Sequence, residues 1–389
     1  MSETPRLPLG LYVHWPFCKS KCPYCDFNSH VADSIDHARW MDALIRELEG
    51  QNEALGERQL DTIFFGGGTP SLMEPKTVAA LVERAQTLFR PSNQLEITLE
   101  ANPTSIEAEK FEAFRAAGIN RVSIGVQSLN DGDLRFLGRE HSVSQAFDAI
   151  EIARNCFDRV SIDLIYARPE QTLNSWLEEL ERALSLGLDH MSLYQLTIEE
   201  TTPFYARHRR GEFRIPEEEL AADLYLATNQ RMAEAGLEAY EVSNYAKPGQ
   251  ESRHNLIYWT GGDYLGIGPG AHGRVTETSG SRFATRTHRA PQIWLERVEG
   301  QGQALVDRDQ LTEDDRLVEA VMMELRLSQG LEAASWKARF GTTPFQTFDA
   351  DTLQALEAAD LIAVTSDGGL RATDQGRLAL NALIAKLVG

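Results

Sequence analysis

Through the first two-thirds of the chain, short β-branched and aromatic runs alternate with longer stretches whose apolar residues recur every three or four positions. The runs Leu11–Trp15, Thr62–Phe65, Glu96–Leu99, Arg121–Gly125, Ser161–Ile165 and Met191–Leu196 predict strands. The stretches Asp36–Glu49, Thr77–Leu88, Ala108–Ala117, Val143–Asn155 and Leu173–Leu186 predict amphipathic helices. Strand and helix in steady alternation imply a parallel sheet, because each parallel pair needs a crossover. The regularity fits an α/β fold of the incomplete parallel β/α barrel kind; a doubly wound open sheet is the alternative.

After Gly211 the rhythm changes. Pro216–Gly236 reads as one helix, with proline in its first turn and glycine at its end. Gly261–Gly273 is too rich in glycine for a regular helix, and the polar Arg282–Pro291 reads as a loop. The last part differs again. Thr312 caps a helix with acids in its first turn, running to about Leu327. Helices near Glu332–Phe340 and Asp351–Ala358 follow. A hairpin comes next, with strands Leu361–Thr365 and Leu370–Thr373 about the turn Ser366–Gly369, and a last helix begins at Asp374. The expected organisation is a large unit over residues 1–300 and a small C-terminal winged-helix-like domain over 301–389.

Composition narrows the options. Hydrophobic residues make up 42% of the chain, ample for a packed core, and no run approaches the ~20 apolar residues of a membrane span. The net charge of −20 argues against broad contact with nucleic acid or anionic membrane. A winged-helix outline would suggest DNA, but residues 301–389 carry 14 acids and 8 bases, a net of −6. The opening Met1-Ser2-Glu3-Thr4-Pro5-Arg6 lacks a signal pattern. With clustered thiols, which suit a reducing compartment, this leads us to expect a cytoplasmic protein.

The candidate chemistry begins in Cys18-Lys19-Ser20-Lys21-Cys22-Pro23-Tyr24-Cys25. Three close thiols in a polar loop suit neither a disulfide nor a structural zinc site of four ligands, unless His14 or His30 completes it. They do suit an iron–sulfur cluster, where three ligands on four irons leave one iron free for a small molecule. The cysteines follow the end of a predicted strand, the edge at which α/β folds build their sites. The fourth, Cys156, lies in a helical run and reads as a small buried residue.

More polar chemistry recurs at the same edge. Gly66-Gly67-Gly68-Thr69-Pro70 follows the second strand, where glycine allows a ligand close to backbone; no Gly-Lys-Ser/Thr follows, so it is not a phosphate loop of the P-loop kind. Glu100-Ala101-Asn102-Pro103 ends the third strand, Gly125-Val126-Gln127-Ser128 the fourth, and the fifth carries Asp163. Carboxylate and amide here suit ribose hydroxyls and an amino group.

With the cysteine spacing and the Gly66–Pro70 loop, the chain resembles the radical S-adenosylmethionine (SAM) superfamily. More closely, it resembles the oxygen-independent coproporphyrinogen III oxidase-like proteins, sharing Tyr12-Val13-His14-Trp15-Pro16-Phe17-Cys18, Gly66–Ser71, Glu100–Pro103, Gly125–Ser128 and Asp163–Tyr166. The resemblance implies a [4Fe-4S] cluster on Cys18, Cys22 and Cys25, with SAM chelating the fourth iron and cleaved by electron transfer. It implies SAM contacts from Tyr12, Tyr24, Gly67, Gly68, Thr69, Glu100, Gln127, Arg139 and Asp163. Two features depart from the true oxidases. Phe27 stands where they carry a fourth cysteine, and only ten residues precede the first predicted strand, where they have a longer arm. The run His254-Asn255-Leu256-Ile257-Tyr258-Trp259 instead matches the H-N-x-x-Y-W mark of the HemW-type haem chaperones. That likeness implies haem as ligand, acceptor haemoproteins such as respiratory ones as partners, and His254 as a candidate haem ligand with His272 next.

Overall fold

A computed structural model of the chain describes residues 7–53 and 55–389. The first six residues, read above for a targeting signal, lie outside these. Six parallel strands lie side by side in sequence order: β1 (Leu7–Trp15), β2 (Arg58–Gly67), β3 (Arg90–Ala101), β4 (Arg121–Gln127), β5 (Arg159–Tyr166) and β6 (His190–Gln195). The crossovers carry α1 (His37–Asn52), α2 (Pro75–Leu88), α3 (Phe111–Ala116), α4 (Val143–Cys156) and α5 (Leu173–Leu184). The expected helix over Ala108–Ala117 is two short pieces, Ser105–Ala108 and α3.

A doubly wound sheet reverses its strand order. Here the order never reverses, and right-handed crossovers then put all the helices on one face. The fold is an incomplete parallel β/α barrel, and it does not close. Beyond β6 lie antiparallel strands Asn244–Ala246 and Glu238–Ala239. Beyond β1 comes β7 (Tyr264–Ile267), parallel to it, then antiparallel β8 (His272–Thr276), β9 (Arg282–Thr287) and β10 (Leu305–Gln310). The expected loop at Arg282–Pro291 is thus largely a strand. Its polar composition misled because an antiparallel strand can turn one face to water, and Thr285 and Thr287 supply the buried one.

The two faces of the six strands differ in kind. Leu11, Val13 and Trp15, then Ile63, Phe65, Ile97, Leu99, Val122, Ile124, Ile162 and Leu164, are buried in the main core. The alternate residues Thr62, Glu96, Thr98, Glu100, Arg121, Ser123, Ser161 and Asp163 are polar and point to the other face. Parallel strands covered on both sides usually read as unbroken apolar runs. A polar second face means that the barrel interior is built to hold something polar.

The C-terminal part has its own core, in which Val321, Leu325, Trp336, Leu353 and Leu383 meet the hairpin Ile362–Val364/Leu370–Ala372. A short helix over Pro344–Thr347, not foreseen, joins the expected ones, and the last helix breaks at Ala379 into Asp374–Leu378 and Leu380–Val388. Because β10 belongs to the large sheet, we propose placing the division of the chain near residue 311 rather than 301.

Candidate cofactor site

Pro16 ends β1, and the loop that follows carries the cysteines. The Cys25 N–H donates to the Cys22 carbonyl at 3.1 Å, so the last two thiols share one turn. All three are free and half-buried, and all three line one cavity of about 370 Å³ at the C-terminal ends of the strands. That volume is in the ordinary range for a small-molecule site.

Each thiol is positioned from a different quarter. The Thr69 hydroxyl donates to Cys18 Sγ at 3.5 Å, and Arg139 Nη1 donates to Cys22 Sγ at 3.4 Å. Cys25 Sγ lies 3.9 Å from Ser29 Oγ. Burial pushes the Cys18 and Cys25 thiols up from their ordinary pKa, partly offset by these hydroxyls. The sulfurs do not converge on one point: among the described residues, no group of three Cys, His, Asp or Glu is placed to hold a single metal ion. Zinc, with Zn–S near 2.3 Å, needs such convergence. A multi-iron cluster does not, because each sulfur takes its own iron. His14 is not placed to complete a zinc site either. Its Nδ1 meets the Tyr12 hydroxyl at 3.0 Å and its Nε2 the Asn28 carbonyl at 2.9 Å.

The glycines work differently from the sequence expectation. Gly67 N–H donates to Glu100, Gly68 N–H to the Trp15 carbonyl at 2.7 Å, and Thr69 N–H to the Phe17 carbonyl at 2.8 Å. These donors are therefore already taken. What the missing side chains permit is the close approach of the cysteine loop. A Cβ on Gly67, whose φ is +112°, would lie 2.7 Å from the His14 ring. One on Gly68 would lie 2.7 Å from the Phe17 carbonyl oxygen and 3.0 Å from Cys18 Sγ. Glycine at both positions lets the two loops stack, which brings the thiols over the cavity.

Acids line its depth. Glu100 ends β3 and Asp163 lies in β5, and both face the cavity. Burial, reinforced by the charge of Asp163, pushes Glu100 up to about 8. Burial likewise raises Asp163, against hydrogen bonds from Ser192 and Ser123. Two carboxyls confined together favour a cation or hydroxyl donors beside them. Gln127 also lines the cavity and holds φ of +69°, unusual for a residue with a side chain, where the β4–β5 register slips. Arg139 turns inward. Its Nη2 donates to Asn102 Oδ1 at 2.5 Å and to the Gly125 carbonyl at 2.8 Å, while Nη1 reaches Cys22. It joins the cysteine loop to the ends of β3 and β4, so it is no solvated surface charge.

Of the expected contacts, Tyr24, Gly67, Gly68, Thr69, Glu100, Gln127, Arg139 and Asp163 line the cavity with the three cysteines. Tyr12 does not. It packs at 6.2 Å against Phe64 and its hydroxyl is spent on His14. His254 is also placed elsewhere. It is 1% exposed, with Nδ1 2.7 Å from the Thr62 hydroxyl, Nε2 2.6 Å from the Tyr258 hydroxyl, and Phe64 stacked on its ring. Burial lowers its pKa to about 3. A ring with both nitrogens engaged offers none to haem iron, so its expected role as ligand is corrected. His272 is exposed on β8. Cys156 is half-buried at the end of α4, packed against the main core but not within it.

Ser123 and Tyr194 line the cavity without having been singled out. Counting every second residue along the predicted strands from Gly125 back to Ser123 would have found the first. Tyr194 needed the position of β6 beside β5.

The radical SAM superfamily pattern matches residues 12–213, and the HemN C-terminal domain matches residues 311–379. The protein named heme chaperone HemW in Haemophilus influenzae is 36% identical over 98% of this chain and 98% of its own length. The bovine protein named radical S-adenosyl methionine domain-containing protein 1, mitochondrial, is 39% identical over 97% of this chain and 87% of its own. The solved structure of Escherichia coli coproporphyrinogen III oxidase (HemN), described as a radical SAM enzyme, superposes with a TM-score of 0.81 at 24% identity, over 99% of this chain and 91% of that one, and speaks for the fold. With the cysteine loop, the acid-lined cavity and the C-terminal module each accounted for, the chain belongs to the radical SAM superfamily, among its HemW-like members.

Proposed function

We propose that this protein is a haem chaperone: it binds haem for delivery to acceptor haemoproteins and carries a [4Fe-4S] cluster and SAM. The observation that supports it most is the near full-length likeness to a protein named heme chaperone HemW, in a chain whose Phe27 replaces the oxidases' fourth cysteine. Cys18, Cys22 and Cys25 would hold the cluster, and Tyr24, Gly67, Gly68, Thr69, Glu100, Gln127, Arg139 and Asp163 would surround SAM. When bound, the cluster supplies a one-electron donor beside SAM. The chain's own part is positional. Arg139 and Thr69 hold the sulfurs, and Glu100 and Asp163 receive positive charge. The cytoplasm is our proposed compartment, supported by the free thiols. No helix of the described residues is long and apolar enough to cross a membrane. For the haem ligand, His272 is the candidate that stays exposed.

The test is anaerobic reconstitution followed by separate titrations. Haem should bind with a Soret shift that His272→Ala alters. Coproporphyrinogen III should not be converted to protoporphyrinogen IX. Anaerobic turnover of that substrate would favour instead an oxidase performing oxidative decarboxylation.

A second expectation comes from Glu100. Held near 8, it is mostly protonated at pH 7 before a ligand binds, and a cationic ligand stabilises its ionised form. SAM binding at pH 7 should therefore release protons, approaching one per molecule, and the release should fade above pH 8. Titration calorimetry in buffers of different ionisation heat measures it. Equal release by Glu100→Gln would assign the proton to another group.

A further inference from the structure

Outside the cofactor cavity, several arginines gather at the seam between the barrel and the C-terminal module. A cleft of about 50 Å³ opens there, lined by Arg274 of β8, Arg282 of β9, Arg316 of the helix Glu313–Glu324, and Arg339. Their partners are unequal. Arg274 is doubly bonded to Glu319, at 2.9 and 2.7 Å, across the seam. Arg339 pairs with Glu324 at 2.5 Å. Arg282 lies 3.5 Å from Asp263, but the other oxygen of that carboxylate is 3.2 Å from the buried Arg58. Arg316 has no carboxylate or hydrogen-bond partner for its side chain among the described residues.

Five arginines thus share three carboxylates, leaving two positive charges uncompensated in a chain of net charge −20. Burial holds Arg282 below its ordinary pKa against the attraction of Asp263 and Glu319, and the like charge of Arg316 adds to the lowering. Half-buried cations of the same sign facing one cleft cost free energy unless an anion joins them. At about 50 Å³ the cleft is far smaller than the roughly 300–1,000 Å³ of pockets that enclose whole ligands, so it has room to seat a small anionic group but not to enclose a tetrapyrrole ring. A planar guanidinium fork is the side chain best suited to such a group.

We propose that this cleft is an oxyanion seat, in which Arg316 and Arg282 take one carboxylate or phosphate group and so tie an anionic ligand to the joint between barrel and C-terminal module. The group can come from a free phosphate or from a propionate of haem whose ring stays outside. The seat does not depend on the haem reading.

The test uses the full-length, reconstituted protein at fixed ionic strength. Inorganic phosphate, haem and haem dimethyl ester are titrated against the wild type, Arg316→Gln and Arg209→Gln, the last an exposed arginine far along the chain. Because Arg316 is unpaired, Arg316→Gln should fold with an unchanged or higher thermal midpoint. A phosphate affinity at least tenfold weaker in Arg316→Gln, but not in Arg209→Gln, supports the seat with free phosphate as its ligand. A tenfold loss for haem, with the dimethyl ester equally weak in all three proteins, supports it with a propionate. The seat is overturned if phosphate and haem each bind alike to wild type and Arg316→Gln. Absence of haem binding in the wild type, with phosphate still discriminating, would sink the chaperone reading and leave the seat standing.

Discussion

Replacing any one of Cys18, Cys22 or Cys25 with serine should abolish the broad iron–sulfur absorbance of the reconstituted protein, while Cys156→Ser keeps it. The three thiols lie on one loop over one cavity, and each is held by its own neighbour, Thr69, Arg139 or Ser29. None can stand in for another, so losing one leaves an iron without its protein ligand. Cys156 lies at the end of α4, packed against the helix side of the sheet. Iron and acid-labile sulfide, measured after anaerobic reconstitution, give the result independently of colour. A Cys156→Ser protein as depleted as the others would refute the ligand assignment.

The largest loss of stability is expected from Glu179→Ala, about 3–5 kcal/mol, the usual cost of breaking a buried ion pair by removing one partner. Glu179 projects from α5 and is buried. It pairs with Arg168, which is 2% exposed, and accepts from Ser128 Oγ at 2.7 Å and the Leu129 N–H at 2.6 Å. Among the described residues, Asp133, 3.0 Å from Arg168, would be left as the carboxylate paired with that guanidinium. The Glu179 carboxylate also clamps the turn just after Gln127, whose strained backbone faces the cavity. SAM affinity should therefore fall along with stability. Denaturant unfolding of Glu179→Ala beside Glu178→Ala, an exposed neighbour expected within about 0.5 kcal/mol, separates the effects. A difference below about 1 kcal/mol would mean that Asp133 alone suffices for Arg168.

Much of the site was legible because its residues lie at strand ends, where sequence order and spatial order coincide. Once β1 to β6 run in order, Cys18, Gly67, Glu100, Gln127 and Asp163 must come to one edge. Arg139 was harder. Its run follows the short helix Asp131–Phe136, and only the folded chain shows the guanidinium turned inward to Cys22 and Asn102. His254 failed as a ligand for the converse reason. A histidine beside tyrosine and tryptophan reads as chemistry, but Thr62 of β2 takes its Nδ1, Tyr258 of its own helix takes its Nε2, and Phe64 covers the ring.

The parallel barrel, the cysteine loop and the C-terminal module were legible before folding, because hydrophobic period, turn residues and thiol spacing are local properties that need no partner. The acids were legible too, since period-two alternation fixes which strand residues share a face. Tertiary structure alone decided which polar groups remain free to act. The backbone donors of Gly67, Gly68 and Thr69 and the Nδ1 of His254 are spent on neighbours far away in sequence, whereas Arg316 is left without one. Whether a group is satisfied depends on what the rest of the chain brings within about 3 Å of it, and distances that short between remote residues are set only by packing.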